Sequence, residues 1–133
     1  IVWDGAWAPH SRMFATASRD KSVKIWTLVD DAQRPYRLVT TLNASDAVVS
    51  VTWASDGALA MGLENGDERL YTCARDGTWQ LHTTLARHHT GPVHRVACRP
   101  QGRWMDAYDR VPYQLLSVGD DGCTRLVSWY IDP

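Results

Sequence analysis

The chain repeats itself. Ile1-Val2-Trp3-Asp4-Gly5-Ala6-Trp7-Ala8-Pro9 lines up with Ala47-Val48-Val49-Ser50-Val51-Thr52-Trp53-Ala54-Ser55, and again with Pro92-Val93-His94-Arg95-Val96-Ala97-Cys98-Arg99-Pro100, at steps of 46 and 45 residues. A second segment recurs in the same register as Phe14 to Trp26, Leu59 to Tyr71 and Leu115 to Val127. Each copy reads as two short β-prone runs around a polar turn: Arg19-Asp20-Lys21, then Asn65-Gly66, then Asp120-Asp121-Gly122. Asn-Gly and Asp-Gly are the dipeptides that a tight hairpin with positive φ demands. Tyr36 to Leu42 and Thr78 to Leu85 are further strand candidates between the hairpins.

A period near 45 with four short strands per unit is the signature of propeller blades. The expected fold is therefore all-β, a partial β-propeller of three units: residues 1–46, a degenerate unit at 47–91, and a final unit at 92–133. All three belong to one larger propeller domain. The last unit offers only Val93 to Cys98, Tyr113 to Gly119 and Cys123 to Ile131, so its outer strand is expected from elsewhere. An insertion at 101–112 lengthens its hairpin spacing to 56 residues from 45. Three units fall short of the four to eight blades of a closed ring. The chain, which opens in strand-like sequence without an initiator methionine, thus reads as the C-terminal three blades of a longer protein.

Composition agrees. Seven tryptophans against one phenylalanine, with nine glycines and 44% hydrophobic residues, suit wide flat side chains packed between sheets. A net charge of −1 gives no global pull toward nucleic acid or anionic membrane, and no run of 18 apolar residues occurs. Cys73, Cys98 and Cys123 are odd in number and lack a C-x-x-C pair, which argues against a disulfide framework or zinc cage and for a reducing compartment. There is no G-x-S-x-G elbow, phosphate-binding glycine loop or H-E-x-x-H, and no cysteine with a plausibly placed base.

The hairpins carry a candidate structural network. A buried Trp26 indole needs an acceptor, and Thr16 on the facing strand supplies a hydroxyl; a histidine from outside the hairpin could accept the hydroxyl proton and donate to Asp20. Such a chain is worth having only when every member is satisfied. Unit three keeps His89, Ser117 and Asp121 but has Val127 at the tryptophan position, with Trp129 two residues later. Unit two has Met61, Asn65 and Tyr71, with Ala44 where the histidine belongs, so apolar packing must substitute there.

These hairpins resemble the signature of WD-repeat propellers. Trp3-Asp4, the run Ala15 to Trp26, Gly62-Leu63-Glu64-Asn65-Gly66 leading to Leu70-Tyr71-Thr72, and Ser117-Val118-Gly119-Asp120-Asp121 are together similar to the closing blades of the family of WD-repeat second subunits of Elongator. The resemblance implies a non-catalytic scaffold, cytoplasmic and also nuclear, without a cofactor. It implies docking on a large scaffold subunit and on a radical-SAM and acetyltransferase-like catalytic subunit, in a complex that modifies tRNA wobble uridines at carbon 5. Contact with tRNA would be at most indirect, and no membrane is involved. The other class in play is a generic WD-repeat adaptor, such as a ubiquitin-ligase substrate receptor or a trafficking coat subunit.

Other candidate sites have plainer readings beside the functional ones. His88, His89 and His94 suggest a metal, but His89 is claimed by the network and no fourth ligand presents itself. Asp106 and Asp109 could form an acid/base pair, but sit in a loop expected to be wet. Arg87, Arg95, Arg99 and Arg103 form a run without acids that can bind a phosphate backbone or cap neighbouring carbonyls. In the insertion, Trp104, Met105 and Tyr108 read either as a protein contact or as a plug folded over the blade.

Overall fold

The computed structural model describes residues 1–99 and 113–129. Its strands are β1 (Val2–Trp7), β2 (Met13–Ser18), β3 (Ser22–Leu28), β4 (Tyr36–Asn43), β5 (Val48–Ser55), β6 (Ala58–Leu63), β7 (Glu68–Cys73), β8 (Trp79–Leu85), β9 (Val93–Cys98), β10 (Tyr113–Gly119) and β11 (Thr124–Trp129). No helix occurs among the described residues. Each sheet is an antiparallel meander in chain order: β1 to β4, β5 to β8, and β9 to β11. The architecture is all-β, with two four-stranded blades and a third that has three strands among the described residues; the sheets do not close on themselves. Residues 100–112 and 130–133, with the expected insertion and the end of the last strand, lie outside the described residues.

The turns explain why these runs form hairpins. Gly66 has φ +93° and Gly122 φ +74°, the left-handed conformation that only glycine adopts without a Cβ penalty. In blade one the same place is taken by Lys21 at φ +70°, a non-glycine residue that carries that penalty. Period-two alternation then sorts the faces. Ala15, Ala17, Val23 and Ile25 of blade one pack against Val48, Val51, Trp53, Leu59, Met61 and Leu63 of blade two in one buried cluster. Ala60 and Leu70 join Val93, Val96 and Leu115 of blade three in a second. Strand β6 lies between the two clusters, and all six of its residues are buried. A two-sided apolar strand of this kind is the reason the middle blade tolerates a degenerate hairpin: each large side chain such as Leu59 or Met61 contributes about 1.5 to 3 kcal/mol by burial alone.

The outer flanks differ. On blade one, Trp7, Phe14, Trp26 and Tyr36 form a connected row of rings with centroids 5.1 to 6.4 Å apart. On blade three, Leu116, Val118 and Leu126 are exposed on the side away from blade two.

Candidate functional site: the joints between blades

The inner strands are fastened to one another by a relay at the period of the repeat. Asp4 Oδ2 accepts hydrogen bonds from the Ser50 hydroxyl and the Val51 N–H, each 3.1 Å, and the Ser50 hydroxyl oxygen in turn accepts the Val96 N–H at 3.1 Å. The Trp53 indole donates to the Ala6 carbonyl at 3.0 Å, and the Cys98 N–H to the Thr52 hydroxyl at 3.2 Å. β1, β5 and β9 belong to separate sheets, so these side chains supply partners that backbone groups there require. None of these links was read from the sequence. The signal was that Asp4 and Ser50 hold the same place in the repeat, and Val51 and Val96 the next one.

The hairpin residues fall in matching register. Phe14 pairs with Trp26, Leu59 with Tyr71 and Leu115 with Val127, so these last three positions are equivalent. In blade one the Trp26 indole donates to Thr16 Oγ1 at 3.1 Å, while half-exposed Asp20 takes the Ser22 hydroxyl and Lys24 as partners. In blade two Met61 is fully buried and Tyr71 reaches across to blade one, its hydroxyl donating to the Asn43 carbonyl at 3.3 Å. In blade three His89, Ser117 and Asp121 come together: His89 Nε2 lies 2.8 Å from Ser117 Oγ, and Nδ1 lies 3.0 Å from Asp121 Oδ1. Asp121 also accepts the N–H groups of Thr90 and Cys123 at 3.0 Å. The His89 bond above all, with those two N–H groups, holds the Asp121 carboxyl far below the usual carboxylate range. Trp129 stacks on Tyr113 at 5.6 Å and reaches neither His89 nor Ser117.

Serine, imidazole and carboxylate in this order have the connectivity of a nucleophile, its base and an orienting acid. Here, however, Ser117 is 1% exposed and His89 0%, so the hydroxyl has no surface from which a substrate atom could be approached. Two of the thiols, Cys98 and Cys73, are not activated either. Burial pushes Cys98 up to about 12 against the opposing hydrogen bond from Thr52, and burial likewise raises Cys73. Cys98 borders a cleft of about 340 Å³ with Ala6, Trp7, His10 and Trp53.

The remaining candidates are dispersed. Arg87 precedes β9 and donates its N–H to Asp67, Arg95 is exposed along β9, and Arg99 follows the strand with its guanidinium on Gln114 at 2.9 Å. Arg95 lies within β9, Arg99 directly after it, and Arg87 in the segment between β8 and β9. His94 pairs with Asp120 at 2.9 Å, and no group of three metal-ligating side chains occurs among the described residues. Arg103, Trp104, Met105, Asp106, Tyr108 and Asp109 lie outside the described residues.

A family model described as "WD domain, G-beta repeat" matches residues 1–27, 36–83 and 79–128. The chain belongs to the WD40 family. Relatives of this WD40 chain include "Elongator complex protein 2" of Schizosaccharomyces pombe, 33% identical over 136 residues and 96% of the chain. The protein of the same name from Arabidopsis thaliana is 31% identical over 97% of the chain, and that from Dictyostelium discoideum 35% over 99%. The chain spans only 16 to 17% of the length of these relatives. Within the WD40 pattern its departures are local: Tyr71 and Val127 stand where the first blade has Trp26. No helix among the described residues is long and apolar enough to cross a membrane.

Proposed function

We propose that the chain forms consecutive blades of a non-catalytic WD40 scaffold subunit of Elongator, supporting assembly of the complex that modifies wobble uridines of tRNA. The observation that carries this reading is the similarity to proteins named Elongator complex protein 2, which runs through all three blades and 96 to 99% of the chain in the alignments above. Its partners are the large scaffold subunit and the catalytic subunit, in the cytoplasm and nucleus. The buried Ser117 and His89 and the high pKa of Cys98 support placing the chemistry in a partner. The chain's relation to tRNA is indirect at most, in line with a net charge of −1.

The test is affinity purification of the full-length polypeptide from its own cells, followed by mass spectrometry. Recovery of the large scaffold and catalytic subunits of Elongator in stoichiometric amounts is expected. Recovery of ubiquitin-ligase or coat subunits in their place would make the chain an adaptor of another kind.

A further inference from the structure

Glu68 is the most unusual buried group in the chain. It opens β7 in blade two, is 0% exposed, and neither carboxyl oxygen has a hydrogen-bond partner within normal geometry among the described residues. Its equivalent in blade one is the apolar Val23, since Met61 pairs with Arg69 as Thr16 pairs with Lys24. The groups that face it come from blade three and the segment leading into it. His88 Nε2 is 3.7 Å away, and Ser117, His89 and Arg125 are near enough to oppose the effect of burial on it. Arg125 is engaged by the His88 carbonyl, which accepts its Nε–H. His88 is itself driven toward the neutral form, by burial first and by His89 and Arg125 after it.

Proton counting narrows what this cluster can be. The ionised Asp121 only accepts, so His89 Nδ1 carries a hydrogen, and a neutral His89 then accepts the Ser117 proton at Nε2. That leaves the Ser117 oxygen with a free acceptor position. In blade one the corresponding position on Thr16 is filled by the Trp26 indole, but blade three has Val127 there. We propose that Glu68 is buried as the neutral carboxylic acid and donates its proton to Ser117, replacing the missing tryptophan and locking blade two to blade three through the chain Glu68, Ser117, His89, Asp121. The alternative distribution moves one proton along the chain: Glu68 ionised, Ser117 donating to it and His89 charged. Burial is the largest influence on Glu68 and raises its pKa, against the opposing pull of Ser117, His89 and Arg125.

The pH dependence follows with a definite sign. The unfolded carboxyl releases its proton near its ordinary value of 4.5, whereas the folded one keeps it to higher pH. Stability is therefore lost as pH rises from 4.5 to the raised folded pKa, and the lock opens above that point. Glu68→Gln retains an N–H donor for Ser117 and cannot ionise. In the full-length polypeptide, infrared difference spectra of wild type minus Glu68→Gln should contain a carboxylic acid carbonyl band that persists above pH 4.5. The melting temperature of Glu68→Gln should also gain on wild type as pH rises through that window, then level off. A carboxylate band with no carboxylic acid band, or a histidine ring charged on both nitrogens at position 89 by NMR, would overturn the proposal, as would parallel melting curves across the window. Because infrared titration of the wild type alone reads the carbonyl band, a poorly folding variant does not remove the test.

Discussion

Replacing His89 by alanine should destabilise the full-length polypeptide by about 3 kcal/mol in urea unfolding, because it empties a fully buried site and strands the Ser117 hydroxyl. The ring is held from both nitrogens and is also gripped sterically: a Cβ added at Gly119 would collide with the imidazole. Loss of the imidazole therefore removes one buried and one part-buried hydrogen bond and a packing partner together. By contrast Asp20→Ala, at a side chain 54% exposed and bonded to Ser22 and Lys24, should stay within about 0.5 kcal/mol. Amide exchange would locate the effect, with protection falling in β9 and β10 for His89→Ala. Equal losses for the two substitutions would show that the blade-three chain contributes no more than the exposed turn of blade one.

The second large effect is expected at Gly62. A Cβ there would lie 2.6 Å from Val93 Cγ1 and 3.2 Å from Val96 Cγ1, at the contact of β6 with β9. Val93 is β-branched and 1% exposed, so it has no alternative rotamer space into which to withdraw. Gly62→Val should cost about 2 to 3 kcal/mol by forcing the two blades apart. A melting temperature unchanged from wild type would contradict the close approach of blades two and three.

Much of this fold could be read from local chemistry. Asn65-Gly66 and Asp121-Gly122 announced their turns because positive φ admits few residues, and the recurrence of Phe14 to Trp26 at Leu59 and Leu115 announced the hairpins. What escaped reading depends on contacts between units. Asp4 resembles an ordinary polar residue until Ser50 and Val51 of the next blade are set beside it. Glu68 follows a polar turn and looks solvated, although it holds the inward position that Val23 holds in blade one. Lys21 takes a left-handed conformation where sequence rules look for glycine or asparagine.

The most direct check on the proposed function is chemical. Cells lacking the full-length polypeptide should be assayed by mass spectrometry of nucleosides from purified tRNA, with and without its re-expression. If the WD40 blades belong to the Elongator scaffold, the carbon-5 modifications of wobble uridines should disappear on deletion and return on re-expression, including re-expression of the exposed-site variant Asp20→Ala. Unchanged levels of those modified uridines in the deletion strain would contradict a role in Elongator.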